Sequence, residues 1–372
     1  MMKKIQIAVI FGGRSGEHEV SLRSARFIIS MLSLQKYDVT CIGITKDGKW
    51  LSGENVLAAF ESGKMAGLYP VTILPEPGNN TLYAFKQGTD GTVMEALVDL
   101  DVVFPVLHGT FGEDGTLQGL LEMAGLAYAG AGVLGSAVGM DKALFKDVLR
   151  AQNLPVVESV TGNVLDVRNR LPQLLDEAEA IGSYPLFVKP ANMGSSVGIT
   201  KCRTRSDLME GAMDAIRFDR RILIEKGINA REIEVSVMGN EDPQVSLPGE
   251  IRPKADFYTY EAKYLDDTSE LIIPAELDVE TITYIQEVAL KVYKVIDCAG
   301  LARVDFLMDK DSGKLYVNEV NTMPGFTSIS MYPKLWEASG IPSDELVDRL
   351  IELAIERKTV RDGLEYQYGS EK

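Results

Sequence analysis

The sequence predicts an α/β protein whose N-terminal part contains a parallel β-sheet. Two largely apolar runs, at residues 5–11 and 101–107, have the near-continuous hydrophobicity of strands that are buried on both faces. A helical pattern over residues 20–32 follows the first run, as expected for strands joined by crossover helices. The chain has 372 residues, of which 45% are hydrophobic and 25% are charged, and this length predicts two or three domains with sizeable cores.

The predicted elements divide the chain into three units, with boundaries near Gly132 and Lys226. In the first unit, the patterns predict strands at 5–11, 39–44 and 101–107 and helices at 20–32 and 115–123. In the second, they predict a helix at 138–151 and a hairpin of residues 186–189 and 197–202. In the third, they predict strands at 232–238, 244–251, 302–308 and 314–320, a helix at 282–296, and a last helix that begins at Ser343.

Two glycine-rich polar segments, at residues 12–19 and 108–115, come directly after predicted strands. Parallel sheets bind ligands at the carboxyl ends of their strands. Glycine lets the backbone come close to a ligand, and the helix that follows offers free N–H groups. We therefore expect both segments to line a binding site, whereas residues 63–91 are predicted to form loops with short strands.

The net charge of −16 makes nucleic acids and anionic membranes poor partners for this chain. The three cysteines form no C-x-x-C pair, which indicates a reducing compartment and argues against a structural zinc site. No apolar run approaches the roughly 18 residues that span a bilayer. Residues 5–11 run into Gly12-Gly13 rather than a cleavage site, so we expect a buried strand instead of a signal peptide and a cytoplasmic protein.

Asp305, Glu319 and Asn321 form the sharpest group of polar residues in the sequence. Glu319 and Asn321 lie two apart on one predicted strand and therefore face the same way, and the hairpin can bring Asp305 onto that face. Two carboxylates and an amide oxygen are suited to Mg²⁺ that also binds phosphates. From the residues alone, a solvated polar face on an edge hairpin is an equally good interpretation.

Four cations stand among apolar or glycine-rich neighbours, namely Lys142, Lys189, Lys263 and Arg303. Next to Lys189 comes the loop Gly194-Ser195-Ser196-Val197-Gly198, which can present N–H and hydroxyl donors to phosphate oxygens. A lysine at a strand end often only extends to solvent, and Gly/Ser turns often only close hairpins. Together with the acidic group, these cations predict a pocket for an anionic substrate.

Other nucleotide-binding motifs have weak support. No P-loop motif is present, and Gly130-Ala131-Gly132-Val133-Leu134-Gly135 matches G-x-G-x-x-G without opening the first βαβ unit. A nicotinamide dinucleotide site is therefore a minor hypothesis, and an inter-domain turn is the favoured one. His18 and His108, the two histidines, follow strands and could contact substrate or only bond to loops.

Several segments, in this order, resemble the D-alanine–D-alanine ligases. The matching segments are residues 12–21, His108-Gly109 with residues 112–116, Met140-Asp141-Lys142, Lys189-Pro190 with residues 194–198, residues 260–264, and Asn318-Glu319-Val320-Asn321-Thr322-Met323-Pro324-Gly325. The resemblance runs from residue 5 to about residue 355. It implies a three-domain ATP-grasp fold, with an N-terminal substrate-binding domain at 1–131, a central domain at 132–225, and a C-terminal domain at 226–372 that carries the metal site.

The resemblance also implies roles for individual residues. For ATP, these are the adenine contacts Glu225, Lys226 and Ile228, the ribose contact Glu232, and the phosphate contacts Lys142, Lys189 and Lys263. For metals, Asp305, Glu319 and Asn321 would hold two Mg²⁺ ions, with Mn²⁺ as an alternative. For the amino acids, the residues are Glu17, Ser195 and Tyr264 near the first D-alanine, Arg303 and the Gly325 N–H at the acyl centre, and Ser330 for the second carboxylate.

The implied reaction links two D-alanines through an acyl phosphate that is formed from ATP. Because this intermediate must be kept from water, we expect the Ser195 loop and residues 258–267 to close over the site. Tyr264 is typical of the peptide-forming members, and D-lactate or D-serine as the second substrate is the alternative. A nucleotide-binding regulator without turnover is a second alternative. The resemblance also implies a homodimer.

Overall fold

The computed structural model describes residues 3–89, 91–194, 197–252 and 270–365. Its first sheet has eight strands, in the order β6-β5-β4-β3-β2-β1-β7-β8. The strands are β1 (Ile5–Gly12), β2 (Tyr37–Ile44), β3 (Trp50–Ser52), β4 (Tyr69–Ile73), β5 (Thr81–Gly88), β6 (Gly91–Asp99), β7 (Val102–Val106) and β8 (Ala127–Tyr128). The helices are α1 (His18–Met31), α2 (Val56–Ser62) and α3 (Thr116–Met123).

Only part of this sheet is parallel. Strands β2, β1, β7 and β8 run parallel, as the continuous apolar runs predict, and residues 7–11 of β1 have no exposed surface. Strands β3 to β6 extend the sheet with antiparallel pairs. Residues 63–91 form loops around β4 and β5, as expected, and β5 is eight residues long and pairs along its whole length with β6.

A four-stranded antiparallel sheet follows, in the order β11-β10-β12-β9. Its strands are β9 (Ser159–Asn163), β10 (Leu186–Pro190), β11 (Thr200–Cys202) and β12 (Arg221–Lys226). Its helices are α4 (Val133–Met140), α5 (Lys142–Ala151), α6 (Val164–Asn169), α7 (Leu171–Glu179) and α8 (Arg205–Ala215). The predicted pairing of 186–189 with 197–202 is confirmed for β10 and β11.

The predicted helix at 138–151 is two helices that meet at Asp141. This residue has an extended backbone, and its side chain accepts a hydrogen bond of 2.9 Å from the backbone N–H of Leu144. The carboxylate therefore caps α5 and also pairs with Arg221 of β12. The break makes Lys142 the first residue of α5, where the helix meets the neighbouring loops.

The third sheet has the order β16-β15-β13-β17-β18, with β14 on β13. Its strands are β13 (Ala230–Gly239), β14 (Gln244–Val245), β15 (Gly249–Arg252), β16 (Glu270–Ile272), β17 (Gly300–Asp309) and β18 (Leu315–Asn321). Its helices are α9 (Val279–Val295), α10 (Met331–Ala338) and α11 (Ser343–Asp362), so the predicted start of the last helix is confirmed. The single strand predicted at 244–251 is two, because Pro248 cannot donate to the ladder.

The first and third sheets share one hydrophobic core. Side chains of β1 and β7 belong to the same buried cluster as Leu301, Phe326, Trp336 and the apolar face of α11. This packing holds the carboxyl ends of β1 and β7 against the segment that follows β18. Among the helices of the described ranges, none combines the length and the apolar character needed to cross a membrane.

Candidate active site

The β17–β18 hairpin brings the predicted metal ligands together. In the antiparallel register, Asp305 lies opposite Glu319 and Arg303 lies opposite Asn321, with a register shift directly after Asp305. The Nδ2 atom of Asn321 donates to Oδ2 of Asp305 at 2.9 Å, which leaves the amide oxygen of Asn321 for another partner. The chemistry of this set fits a hard divalent cation, because all three side chains contribute oxygen.

Arg303 lies between two carboxylates in the same cluster. Its guanidinium donates twice to Asp305, at 2.7 Å for each bond, and its Nε atom is 2.8 Å from Oε2 of Glu234. Glu234 lies opposite Asp305 on β13 and is buried. In the described ranges, no three or more His, Cys, Asp and Glu side chains are grouped so that they could hold a metal ion. At this hairpin, the third oxygen donor is the amide of Asn321.

Two of the predicted phosphate contacts lie beside this cluster. The Nζ atom of Lys142 is 3.6 Å from Oε2 of Glu319 and donates to the carbonyl oxygen of Met193 at 2.9 Å. Lys189, on β10, lies 2.5 Å from Oε2 of Glu225. Burial by itself would lower the pKa of Lys189, but Glu225, and further away Glu319 and Glu232, outweigh burial and raise it.

Glu225 is buried between two lysines, one of which the sequence analysis missed. The second is Lys146, whose Nζ atom is 2.7 Å from Oε1 of Glu225. Burial alone would raise the pKa of Glu225, but the two ammonium groups outweigh it and lower the pKa to about 2. A signal for Lys146 existed in the sequence, because it lies four residues after Lys142 and so on the same face of α5.

The remaining predicted adenine and ribose contacts flank Glu225 in the chain. Lys226 ends β12, Ile228 lies in the connection to β13, and Glu232 lies on β13. The charge of Glu232 acts on Lys189, which belongs to the central sheet. The central and third sheets therefore come close to each other at these residues.

Two loops approach Glu17, which directly precedes α1. A Cβ atom added to Gly109 would lie 2.4 Å from Oε2 of Glu17, and one added to Gly194 would lie 2.6 Å from the same atom. An added Cβ atom at either position would displace the carboxylate, so the two glycines let the loops approach Glu17 without moving its side chain, and Gly109 also has a φ of 73° that favours glycine. The glycine-rich segments predicted to line a site do therefore meet at one carboxylate, which is 6% exposed.

The segment after β18 carries Gly325 and is held by the first sheet. The Nδ1 atom of His108 is 2.8 Å from the carbonyl oxygen of Met323, and Ser24 accepts from the backbone N–H of Phe326 at 3.2 Å. Burial lowers the pKa of His108, so its ring is neutral, with Nδ1 donating and Nε2 accepting from Ser24 at 2.9 Å. The sequence left open whether His108 contacts substrate or only bonds to a loop. In the structure, His108 bonds to the loop that contains Met323.

Glu113 is a second residue that the sequence analysis missed. Its buried carboxylate accepts from the backbone N–H of Gly109 at 2.7 Å and from that of Met323 at 2.9 Å. Burial and the charge of Glu17 raise the pKa of Glu113 to about 8. Glu113 thus joins the loop after β7 to the segment after β18.

Ser330 directly precedes α10. Its Oγ atom accepts from the backbone N–H of Thr327 at 3.0 Å and lies 2.7 Å from Oγ1 of Thr327. Three predicted site residues, Ser195, Lys263 and Tyr264, lie outside the described residues, as does the segment at 258–267.

The G-x-G-x-x-G segment has a packing role. Gly130 has a φ of 99°, and a Cβ atom added to Gly300 would lie 2.9 Å from the backbone nitrogen of Gly130. The preceding strand β8 has two residues, and α4 begins after Gly132. The backbones at Gly130 and Gly300 pass each other here without room for side chains. The arrangement therefore favours the interpretation of this segment as an inter-domain turn over that of a dinucleotide site.

Two family profiles match the chain. The profile described as the D-ala D-ala ligase N-terminus matches residues 6–131, and that described as the D-ala D-ala ligase C-terminus matches residues 148–352. The chain belongs to the D-alanine–D-alanine ligase family. The resemblance of its motifs to this family is thereby confirmed.

Individual members of the D-alanine–D-alanine ligase family match over nearly the whole chain. The D-alanine–D-alanine ligase of Ruminiclostridium cellulolyticum is 49% identical over 366 residues, which cover 96% of each chain. The solved D-alanine–D-alanine ligase of Coxiella burnetii is 38% identical, with a TM-score of 0.79 and 96% coverage of both chains. The VanG D-Ala:D-Ser ligase of Enterococcus faecalis is 35% identical, with a TM-score of 0.81 over 95% of this chain and 100% of the other. These structural similarities confirm the ATP-grasp fold class.

Proposed function

We propose that this chain joins two D-alanines into D-alanyl-D-alanine at the expense of ATP, for the synthesis of peptidoglycan precursors. The observation that carries the proposal is the arrangement around the β17–β18 hairpin. Two carboxylates and an amide oxygen lie beside Lys142, and glycine-rich loops lead from there to Glu17. Such a site suits a triphosphate at one end and an amino acid at the other.

The reaction that we propose has two steps. The carboxylate of the first D-alanine attacks the γ-phosphorus of ATP, which gives an acyl phosphate and ADP. The amine of the second D-alanine then attacks the acyl carbon, loses a proton and expels phosphate. A carboxylate does not react with amines because oxide is a poor leaving group, and phosphorylation removes this obstacle. The protein acts mainly by positioning the reactants and by stabilising charge.

Asp305, Glu319 and Asn321 are the residues that would hold two Mg²⁺ ions, or Mn²⁺ in their place. When bound, the metal would screen the negative charge of the phosphates. Lys142 and Lys189 would contact the phosphates directly, together with Lys263. Lys142 now pairs with Glu319, and Lys189 pairs with Glu225. Both lysines could exchange these carboxylate partners for phosphate oxygens when ATP binds.

The amino acids would lie between Glu17 and the segment after β18. We propose that the Glu17 carboxylate, with Ser195 and Tyr264, orients the first D-alanine through its ammonium group. Arg303 and the backbone N–H of Gly325 would stabilise the oxygen charge at the acyl centre. Ser330, at the N-terminus of α10, would receive the carboxylate of the second D-alanine, where the helix end favours an anion.

We propose three domains with the bounds that the resemblance implies. The substrate-binding domain is 1–131, the central domain is 132–225, and the C-terminal domain with the metal site is 226–372. We also propose a cytoplasmic homodimer in which the Ser195 loop and residues 258–267 close over the reactants. Proteolysis within these two segments should slow when ATP and D-alanine are both present, and unchanged cleavage would contradict closure.

The test compares wild type with Glu319→Ala and with the exposed control Glu287→Ala. With saturating ATP, D-alanine should release phosphate and form dipeptide, whereas L-alanine and D-lactate should give little product. Glu319→Ala should lose roughly a hundredfold or more in rate, since one charged contact near the transferring phosphate is removed. Undiminished dipeptide synthesis by Glu319→Ala would overturn the proposal, as would nucleotide binding without D-alanine-dependent phosphate release.

The second substrate is tested by competition. The similarity to a D-Ala:D-Ser ligase makes D-serine the sharpest competitor, and product analysis of mixtures of D-alanine, D-serine and D-lactate would separate the possibilities. We expect D-alanyl-D-alanine to dominate. We also expect Tyr264→Phe to retain ATP turnover and gain some ester formation with D-lactate, and a product mixture with dipeptide alone would refute that role for Tyr264.

A further inference from the structure

Lys146 is a charged side chain that none of the proposed catalytic steps uses. It lies on α5 with 1% of its side chain exposed, and its ammonium group contacts Glu225 on β12. Burial lowers the pKa of Lys146, so the chain pays a cost to keep an ammonium group there. A residue of this type in a hydrophobic setting calls for a physical explanation.

Glu225 divides its two oxygens between two lysines. Oε2 faces Lys189 at 2.5 Å, and Oε1 faces Lys146 at 2.7 Å. The contact between Lys146 and Oε1 is a charge contact without hydrogen-bond alignment, and within the described residues Oε1 accepts no hydrogen bond. This buried carboxylate oxygen therefore still has the capacity to accept a bond from a ligand donor.

The two lysines lie in different surroundings. The charges of Glu319 on β18 and Glu232 on β13 also act on Lys189, so it lies near the acidic residues of the third sheet. Lys146, on α5, has Glu225 as its carboxylate partner. When the ammonium group of Lys189 turns to a phosphate, Lys146 is the cation that remains beside the buried Glu225.

We propose that Lys146 is a positioning residue that keeps Glu225 ionised and fixed, and thereby sets the preference for a 6-aminopurine over a 6-oxopurine nucleotide. The inference rests on the proposed function and on the adenine contact that the family resemblance implies for Glu225, in which its carboxylate accepts from the adenine amino group. An ionised carboxylate can only accept, so it favours an amino group and repels an oxo group. A protonated carboxyl group can donate to an oxo group, so loss of the ionised form removes the discrimination.

The experiment measures kcat/KM for dipeptide synthesis with ATP and with inosine triphosphate. The variants are the neutral Lys146→Met and Lys146→Gln, the charge-conserving Lys146→Arg, and the exposed control Lys291→Met. Wild type, Lys146→Arg and Lys291→Met should prefer ATP strongly. The neutral variants should lose this preference by roughly tenfold or more. Once Lys189 turns to the phosphate, neither lysine offsets the burial that raises the pKa of Glu225, so the preference of these variants should weaken further as the pH is lowered.

The outcomes separate this inference from the proposed function. A wild type that makes no dipeptide with ATP would overturn the function itself. A wild type that makes dipeptide with both nucleotides equally well would overturn the inference alone. An unchanged nucleotide preference in both neutral variants, even with lowered thermal stability, would show that Lys146 is only structural. Lys146→Gln keeps the test decisive if methionine cannot be accommodated at this position.

Discussion

Replacing Glu113 by glutamine should change how the stability of the protein depends on pH. The carboxylate is buried and bridges the backbone N–H groups of Gly109 and Met323. Its pKa is raised from 4.5 to about 8, first by burial and then by Glu17. Between these two values the folded state holds a proton that the unfolded state has lost, so rising pH favours unfolding. The stabilisation is complete below the unfolded pKa and disappears as the pH rises through the folded pKa.

The magnitude follows from this shift in pKa. Each pH unit between the two pKa values changes the free energy of unfolding by about 1.4 kcal/mol at most. From pH 6 to pH 8, near the folded midpoint, the contribution of Glu113 falls by roughly 2 kcal/mol. Glu113→Gln does not titrate, but its amide can serve only one of the two N–H groups as an acceptor, which costs about 1–3 kcal/mol. The variant should therefore be less stable at pH 6, and its deficit should narrow toward pH 8.

The assay is urea unfolding of wild type and Glu113→Gln across this pH range. The exposed Glu54 provides the matched control, since Glu54→Gln should keep a constant difference from wild type at every pH. The quantity to follow is the difference in free energy of unfolding between variant and wild type, and how that difference changes with pH. A difference that stays constant for Glu113→Gln would refute the assignment of a buried proton to this site.

Two further outcomes are expected. Arg303→Lys keeps the charge but loses the two hydrogen bonds to Asp305. The value of kcat/KM for dipeptide synthesis should therefore fall by roughly a hundredfold, with little change in melting temperature. Near-normal activity of this variant would show that the planar guanidinium is dispensable. Burial raises the pKa of Cys298 to about 12, so at about pH 8 iodoacetamide should label this thiol roughly a thousandfold more slowly in the folded protein than in urea, and equal labelling would contradict the buried position.

The β17–β18 hairpin shows what local patterns can predict. Asp305, Glu319 and Asn321 lie on two strands separated by a short turn, so the alternation of a strand and the pairing of a hairpin place them on one face. The same reasoning predicted the strands at 5–11 and 101–107, because strands buried on both faces are apolar without interruption. The single helix predicted at 138–151 was wrong because a capping carboxylate, Asp141, rather than periodicity, decided where one helix ends and the next begins.

The residues that were missed have partners far away in the chain. Glu113 bonds to Met323 across 210 residues, and Lys146 meets Glu225 from a different element. The sequence around Glu113 and around Lys146 contains no motif or spacing that predicts which residue each of them contacts. The choice of partner for a buried charge depends on which elements pack together, and spacing along the chain does not carry that information.

By itself, the amino-acid sequence determined the α/β class, the apolar parallel strands, the glycine-rich loops and the oxygen-ligand hairpin, since each depends on residues that are close together in the chain. The tertiary structure decided that two loops approach Glu17, that His108 bonds to the Met323 segment, and that Lys146 contacts Glu225. These contacts exist only after the sheets have packed, because burial creates the demand for a partner and packing determines which group can meet it.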